Sequence, residues 1–466
     1  MAGDPTTPRA RAWLPEHALP ARGRPGQAGV LPRGAARARR FLALDARAAR
    51  FPQHCERLMA QALREAGDDL SGVTGLQLRE QLEVRSRQQA LRSGSLWGVE
   101  GAALAWSACL ERALAPAFAE RSRAVAAQLG AAALQAAGIE PGCRLHDLAR
   151  AARNEPGVAQ ALSEDSTEPF SLTRLPDGSS FRAHFEVFLD EFGHWTSDPK
   201  DPHARTWREE PRFLLEQLSV LLGHPSAEDP RAAALAAYTR ALALVRRELG
   251  GWRAGWALWL AERFRRALAA RAHRASALAA VRLPLRAALL ESGRRMAAHG
   301  LIEEAGVIFD LPLADVKRWL RGEWDGRDAR ELLERPEVGM ASGPSWNQQV
   351  PGAVAAPPGA VPGVGVSPGR VTAPCRIVRD ASDGARLLPG EVLLAPAASL
   401  GWSPIVARAG AVAVESGGAW SSAALLAREF ALPAVAGAAG LLAAATDGQT
   451  VTVDGTQGWV RPQAQE

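Results

Sequence analysis

Lysine and cysteine are both scarce in this chain of 466 residues. Of its 55 Lys and Arg residues, only Lys200 and Lys317 are lysines. The four cysteines lie far apart and form no Cys-x-x-Cys pair: Cys55, Cys109, Cys143 and Cys375. Such spacing excludes a small disulfide framework and a cysteine-based metal site. We therefore predict reduced thiols in a cytoplasmic protein that holds no metal.

Long apolar stretches are missing as well. A helix that crosses a bilayer needs about 20 consecutive apolar residues, whereas the Ala-rich stretches here are interrupted by Arg and Glu every few positions. No signal peptide is recognisable. The hydrophobic content of 47% is nevertheless sufficient for the cores of two or three domains. The sequence predicts a soluble protein without a membrane segment.

The formal net charge of +5 and the isoelectric point near 9.5 raise the question of a nucleic-acid partner. The excess of arginine is concentrated in residues 1–40, where it is mixed with Pro and Gly. Elsewhere Arg alternates with Asp and Glu, as on solvated helices. This distribution predicts a flexible basic arm at residues 1–40 and no binding of nucleic acid.

Composition changes twice along the rest of the chain. Residues 41–340 carry apolar side chains at helical spacing, as in the runs 235–249 and 254–270. Residues 341–363 are rich in Pro and have no apolar period, which is typical of a linker. Short β-branched runs separated by Gly and Pro follow in residues 364–462. The predicted fold class is multidomain α plus α/β, a helical bundle followed by a compact β/α domain.

The most distinctive motif is Gly417-Gly418-Ala419-Trp420-Ser421-Ser422, which leads into an Ala-rich helix and then Leu432–Gly437. It resembles the signature of the swivelling phosphohistidine domain of phosphoenolpyruvate-utilising enzymes, where a Gly-Gly turn leads to Ser-His or Cys-His. Shorter motifs extend the resemblance over residues 364–461: Gly365–Gly369, Leu388–Leu393, Gly401–Pro404 and Val451–Gly455. The resemblance implies a swivelling β/β/α domain.

Ser422 stands where that family has its phosphocarrier histidine. A phosphoramidate on imidazole keeps a high transfer potential, whereas a serine phosphoester is a poor donor. The exchange therefore predicts that the family's phosphoryl transfer is lost. Three roles for the serines stay open: Ser421 or Ser422 caps the helix, the helix N-terminus retains an anion contact, or Ser422 acts as a nucleophile.

The phosphoenolpyruvate synthases and rifampicin phosphotransferases that this motif resembles begin with a large ATP-grasp domain. We expect this chain to have no room for one, and its two lysines fall in the helical region. No Gly-x-x-x-x-Gly-Lys-Ser/Thr phosphate loop is present either. The sequence thus predicts no cofactor, and a separate ATP-grasp protein is a candidate partner.

The segment Phe192–Trp195, with Trp207 and Arg208 beyond it, resembles the helical domain of rifampicin-phosphotransferase-like proteins. Trp195 replaces the arginine of the usual Tyr-Gly-His-Arg run, which favours an apolar site over a phosphate site. His194 is then the candidate acid/base group. A second set of aromatic residues, Trp252, Trp256 and Trp259, shares one helix face; it fits core packing or, alternatively, the wall of a ligand site.

These features predict a degenerate family member that binds a hydrophobic small molecule between its helical and C-terminal domains. If it is an enzyme, we expect tailoring chemistry without phosphoryl transfer, such as cyclisation or elimination in natural product biosynthesis. Two alternatives stay open: a binding or regulatory subunit of a separate ATP-grasp protein, or a phosphotransferase that uses Ser422. The candidate catalytic residues are His194 and Ser422, and the candidate ligand contacts are Trp195, Trp207, Arg208, His203, Trp420 and Ser421.

Overall fold

The computed structural model describes residues 35–96, 100–138, 140–163, 178–199, 201–224, 229–326, 329 and 356–463. Lys200, residues 1–34 of the predicted arm and residues 341–355 of the predicted linker lie outside these ranges. Contacts between Cα atoms divide the chain into two compact units. The first unit comprises Met1–Val99, Asp198–Ala204 and His273–Ala341, and the second comprises Glu100–Ser197, Arg205–Ala272 and Ser342–Glu466.

Helices dominate the chain before residue 330. In chain order they are α1 (Ala35–Ala66), α2 (Gly75–Ser95), α3 (Glu100–Phe118), α4 (Ser122–Leu129), α5 (Ala133–Ala136), α6 (Pro141–Arg153), α7 (Pro156–Ser163), α8 (Ser180–Phe192), α9 (Arg212–Gly223), α10 (Pro230–Leu249), α11 (Gly251–Ala298) and α12 (Leu313–Leu320). The C-terminal part adds α13 (Ser403–Val406), α14 (Ser422–Glu429) and α15 (Leu441–Ala444). No helix in the described ranges is both long and apolar enough to cross a membrane.

Local sequence signals explain where these helices begin. Asp229 accepts a hydrogen bond from the Arg231 N–H at the start of α10, and Pro230 occupies the first helical position, where its missing N–H costs nothing. Thr74 and Gln77 form a reciprocal capping box at the start of α2. Helix α11 then runs for 48 residues and contributes to both units.

The two units have separate cores. In the first, Leu78 and Leu82 of α2 belong to one buried cluster with Leu289 and Met296 of α11. In the second, the C-terminal sheet is covered by its own cluster, which includes Val392, Leu394 and Val453.

The C-terminal part forms one eight-stranded sheet of order β1-β8-β7-β3-β4-β5-β6-β2. Strands β3 to β6 pair in parallel, and the other pairings are antiparallel. The strands are β1 (Val361–Pro362), β2 (Val364–Ser367), β3 (Arg370–Ile377), β4 (Val392–Ala395), β5 (Ala411–Val414), β6 (Ala434–Ala436), β7 (Thr450–Asp454) and β8 (Trp459–Pro462). The predicted combination of a helical part with a C-terminal β/α domain is confirmed.

The central strands are apolar throughout because both faces of the sheet are covered. Every residue of β4, β5 and β6 is buried, as expected for parallel strands. Strands β1 and β2 lie at opposite edges of the sheet although only Gly363 separates them, so the sheet must curl. A Cβ atom on Gly363 would come within 2.6 Å of Val435 Cγ1, which explains why glycine occupies this position.

Within the second unit, the C-terminal domain packs directly on the helical region. The Ser399 hydroxyl donates to the Ser197 carbonyl over 2.6 Å. Gly401 lies close to the backbone of Thr196, and a Cβ atom at position 401 would be 2.0 Å from the Thr196 carbonyl oxygen. The Ser403 hydroxyl bonds to the Glu140 carboxylate and accepts from the Gly142 N–H over 3.2 Å. The predicted Gly401–Pro404 motif is therefore a docking segment.

Candidate functional site

The Gly-Gly turn, defined here as Gly417–Trp420, leads into α14 as the sequence predicts. Gly417 has a φ of 104°, a conformation that L side chains rarely adopt. Ser421 is the N-cap: its hydroxyl accepts from the Ala424 N–H over 3.2 Å and donates to the Gly418 carbonyl over 2.9 Å. Ser421, rather than Ser422, therefore caps α14.

Ser422 occupies the first helical position and is half-buried. No imidazole or carboxylate among the described residues is hydrogen-bonded to its hydroxyl. A serine becomes a strong nucleophile when a general base lies within hydrogen-bond reach. The local geometry therefore offers a helix N-terminus at Ser422 without an activating base bound to it.

Two arginines hold the Gly-Gly turn through hydrogen bonds to its backbone carbonyls. Arg428 of α14 donates through Nε to the Val366 carbonyl over 2.8 Å and through Nη2 to the Ala419 carbonyl over 2.5 Å. Its guanidinium lies 5.4 Å from the centre of the Trp420 ring. Arg271 of α11 donates to the Trp420 carbonyl. Burial, and then the neighbouring Arg271 charge, lower the pKa of Arg428 to about 10, so it stays cationic at neutral pH.

The next residue, Glu429, joins α14 to the helical region. The two oxygens of its carboxyl group accept from the Leu134 N–H over 2.9 Å and from the Gln135 N–H over 2.8 Å, at the start of α5. Burial raises the pKa of this carboxyl to about 8, although the two backbone hydrogen bonds act in the opposite direction. The C-terminal end of α14 is thus a polar contact between the two parts of the second unit.

His194, Trp195 and Trp207 lie close to one another inside the protein. The Trp195 and Trp207 rings stack with centroids 5.9 Å apart, and Trp207 also stacks on Phe188 at 6.2 Å and on Phe213 at 6.0 Å. Trp207 is only 1% exposed and Trp195 5%. Burial lowers the pKa of His194 to about 4, so its imidazole is neutral at pH 7. In this conformation the three side chains are part of the protein core and not of an open site.

The other predicted ligand contacts lie elsewhere. Trp420 packs edge-on against Phe264 of α11, with ring centroids 6.5 Å apart. Arg208 forms an exposed ion pair with Asp190. His203 belongs to the first unit, where its Nε2 lies 3.1 Å from an Asp310 carboxylate oxygen.

The three tryptophans on α11 correct the expectation of core packing. Trp252, Trp256 and Trp259 are 77%, 50% and 38% exposed. Trp256 and Trp259 stack on each other at 4.8 Å, and the Arg263 guanidinium lies 3.2 Å from the centre of the Trp259 ring. The three residues share one helix face, as their spacing predicts, but this face lies on the protein surface. We refer to it as the tryptophan face.

A cavity of about 430 Å³ lies between the helical region and the C-terminal domain of the second unit. We refer to it as the arginine cavity. Among the described residues that line it, none is Asp, Glu or His. Its lining comes from α4, α10, the β2–β3 turn and the end of α14: Ala127, Gln128, Ala131, Ala233, Ala236, Ala237, Arg240, Ser367, Pro368, Gly369, Arg370, Arg428, Ala431 and Pro433.

The cavity residues did not stand out in the sequence. Arg240 lies on a helix with many arginines, and Arg428 is part of the helix that follows the Gly-Gly turn. Their common feature, a missing acidic partner, is visible only in three dimensions. The described residues also contain no group of three or more His, Cys, Asp or Glu side chains arranged to hold a metal ion.

Comparisons with known proteins match both parts of the second unit. Residues 98–272 match the model of the rifampicin phosphotransferase fourth domain, and residues 387–458 match the mobile domain of PEP-utilising enzymes.

Relatives align with about two thirds of this chain. The prodigiosin synthesizing transferase PigC of Serratia marcescens is 26% identical over 66% of the chain and 37% of its own length. A rifampicin phosphotransferase of a Streptomyces species is 28% identical over 69% of the chain and 39% of its own length. The chondramide synthase cmdD of Chondromyces crocatus is 27% identical over 68% of the chain and 9% of its own length. The chain therefore aligns with less than two fifths of each of these relatives.

Proposed function

Since the chain belongs to the family of phosphoenolpyruvate-utilising enzymes, we propose that it binds a small molecule in the arginine cavity and acts without phosphoryl transfer through residue 422. The observation that carries this proposal is the cavity itself. Its volume of about 430 Å³ is in the range of small-molecule sites, and both the helical region and the C-terminal domain line it. Alanine and proline side chains supply an apolar wall, in keeping with a hydrophobic ligand body.

The serine at position 422 supports the second half of the proposal. A serine ester would hold a phosphoryl group rather than pass it on, and Ser422 has no hydrogen-bonded base among the described residues. Tailoring chemistry such as cyclisation or elimination needs orientation of the substrate and stabilisation of developing charge. Guanidinium groups such as that of Arg240 can stabilise developing negative charge.

His194 is the residue that we propose as the proton-transfer group if the chemistry needs one. Because burial lowers its pKa to about 4, the imidazole is a weak base in the present conformation. It could take part only after a rearrangement that opens the Trp195–Trp207 stack. If His194→Gln folds and keeps full activity, the proton-transfer role is excluded.

The proposal is tested by restoring function to a strain from which the gene has been deleted. Untargeted metabolite profiles are compared for strains that carry the wild type, Ser422→Ala, Ala236→Phe or Ala232→Phe. Ala236 lines the cavity, whereas Ala232 is an exposed residue of the same helix and serves as the matched control. We expect only Ala236→Phe to leave the profile of the deleted strain unchanged. A defect in Ser422→Ala with normal function of Ala236→Phe would favour a phosphotransferase that uses Ser422.

The tryptophan face favours a second function, that of a subunit for a separate ATP-grasp protein. Large exposed aromatic patches on soluble proteins commonly mark a contact with another protein. An ATP-grasp protein encoded by a neighbouring gene should then co-elute with the wild type in size-exclusion chromatography. The double variant Trp252→Ala/Trp256→Ala should lose this association, and Leu91→Ala, which removes an exposed leucine of α2, should keep it. Separate elution of the wild type and the ATP-grasp protein would exclude this function.

A further inference from the structure

The lining of the arginine cavity is divided into an apolar wall and a cationic part. Five of the lining residues before position 240 are alanines, whereas the polar lining includes Arg240, Arg370 and Arg428. Guanidinium groups bind carboxylate and phosphate oxygens through paired N–H donors. The lining therefore matches a ligand with an apolar body and an anionic group.

These arginines differ in their partners from several other described arginines of the protein. Arg212, Arg231 and Arg376 are each bonded to a carboxylate. By contrast, Arg240 forms no ion pair and no hydrogen bond with any described residue. The side chain is exposed, and no carboxylate in the described part of the chain neutralises its charge.

Neither of the two arginines of the C-terminal domain is paired with a carboxylate among the described residues. Arg370 is exposed, and its guanidinium lies 5.2 Å from the centre of the Trp459 ring, a contact that leaves its charge in place. Arg428 is buried, and its hydrogen bonds go to the carbonyls of Val366 and Ala419 rather than to a carboxylate. Burial and the neighbouring Arg271 charge disfavour this cation, and the Glu111 charge offsets them only in part. A bound anion would relieve that cost.

The cavity is also distinct from the position of the family's phosphocarrier. Ser422 lies at the N-terminal end of α14, whereas Arg428 and Ala431 reach the cavity from its C-terminal end. The β2–β3 turn closes one side: Gly369 has a φ of 125°, and a Cβ atom on it would lie 2.8 Å from Pro433 Cγ. The anion site is therefore built from residues outside the Gly-Gly turn.

We propose that the ligand of the arginine cavity carries a carboxylate or phosphate group, which is bound by Arg240 of the helical region and Arg370 of the C-terminal domain near the buried Arg428. This inference rests on the proposed function and specifies the chemical class of its ligand. An apolar body would lie on the alanine wall of α4 and α10. Because Arg240 belongs to the helical region and Arg370 to the C-terminal domain, such a ligand would also cross-link the two.

The test uses three probes with the same apolar chain: hexyl phosphate, hexanoate and hexanol. Their binding to the full chain is measured by isothermal titration calorimetry at low salt. We expect at least one of the two anions to bind at least tenfold more tightly than hexanol, and the stronger anion identifies the group. Raising the sodium chloride concentration should weaken anion binding and leave hexanol unaffected.

Variants assign the binding to the cavity. Arg240→Gln and Arg370→Gln should each weaken anion binding about tenfold or more without affecting hexanol, since each removes one charge-assisted contact. Arg266→Gln, which removes an exposed arginine paired with Glu262, is the matched control and should bind like the wild type. Ala236→Phe should weaken binding of all three probes.

The outcomes separate this inference from the proposed function. Equal affinity for hexanol and both anions, lost in Ala236→Phe, would leave the small-molecule site in place and overturn the anion site. Anion binding that Arg240→Gln and Arg370→Gln do not change would overturn it as well. If no probe binds, or if Ala236→Phe binds all three as the wild type does, the cavity is not a ligand site and both proposals fail.

Discussion

Glu429 is the residue whose protonation we expect to control how firmly the C-terminal domain is held on the helical region. Its carboxyl group bonds to the Leu134 and Gln135 N–H groups, and burial is the main reason that its pKa is raised to about 8. The nearby Glu140 charge raises the pKa further, whereas the two N–H groups and Arg265 lower it. At neutral pH the group is therefore mostly protonated.

The sign of the pH dependence follows from the direction of this shift. A carboxyl whose pKa is higher in the folded than in the unfolded chain stabilises the fold fully below its unfolded pKa, and this contribution is lost as the pH rises through the folded pKa. For Glu429 the loss extends from an ordinary value of 4.5 to about 8. At about 1.4 kcal/mol per pH unit the full loss has an upper value of about 5 kcal/mol, and we expect about 2–5 kcal/mol.

The assay compares the wild type with Glu429→Gln by urea denaturation at several pH values between about 5 and 9. Glutamine cannot ionise, and it keeps one acceptor for the two N–H groups, so the variant should be about 1 kcal/mol less stable than the wild type at the acidic end. At the alkaline end the wild type should lose this advantage or become the less stable protein. Amide hydrogen exchange at Leu134 and Gln135 reports the same contact locally.

Glu415→Gln is the matched control, because Glu415 also accepts a backbone N–H, from Leu442 over 3.0 Å, but at a half-buried position. It removes a carboxylate from the same domain without touching α5. Parallel pH profiles for the wild type and Glu429→Gln would refute the reasoning. A profile that Glu415→Gln alters as strongly as Glu429→Gln would also do so.

Three further predictions concern the local structure. Ser421→Ala should lower the free energy of unfolding by about 1 kcal/mol because it removes the helix cap, whereas Ser422→His should change it less and gain no phosphoryl label from ATP or phosphoenolpyruvate; urea denaturation and radiolabelling check both. Trp207→Ala should cost about 3–5 kcal/mol and Trp207→Phe clearly less, since Trp207 is 1% exposed; equal, small losses in denaturation would contradict a core role. Ala431→Gly should raise the unfolding temperature, with a gain of about 0.5–1 kcal/mol, because Ala431 has a φ of 55°; an unchanged or lower temperature would contradict this.

The sequence predicts those elements best whose causes are local. The Gly417-Gly418 turn, the cap on α14 and the short apolar strands such as Ala411–Val414 depend on neighbouring residues, and the structure confirms them. Helix α1 differs from the prediction: it begins at Ala35, within the stretch 1–40 that is predicted to be a flexible arm. Nothing in the composition of that stretch separates arginines on a helix from arginines in a flexible segment.

The tryptophan face shows a second limit of sequence reasoning. A spacing of four and three residues places Trp252, Trp256 and Trp259 on one side of α11, and this much holds in the structure. Periodicity alone does not tell which side faces the protein, because that depends on which elements pack around the helix. Exposure of 77% at Trp252 is the result of an arrangement that no local pattern encodes.

The end of α14 shows why the candidate site could be predicted only in part. Arg428 and Glu429 lie in the same motif that identifies the family, yet their partners are distant in sequence: Val366 lies 62 residues before Arg428, and Leu134 lies 295 residues before Glu429. Because the motif itself contains the helix and not these partners, it points to the Gly-Gly turn as the site. In the structure, the C-terminal end of α14 has two roles. Glu429 makes a buried contact with α5, and Arg428 lines the arginine cavity. A chain that has serine at the carrier position can keep both, since neither requires a phosphoryl group.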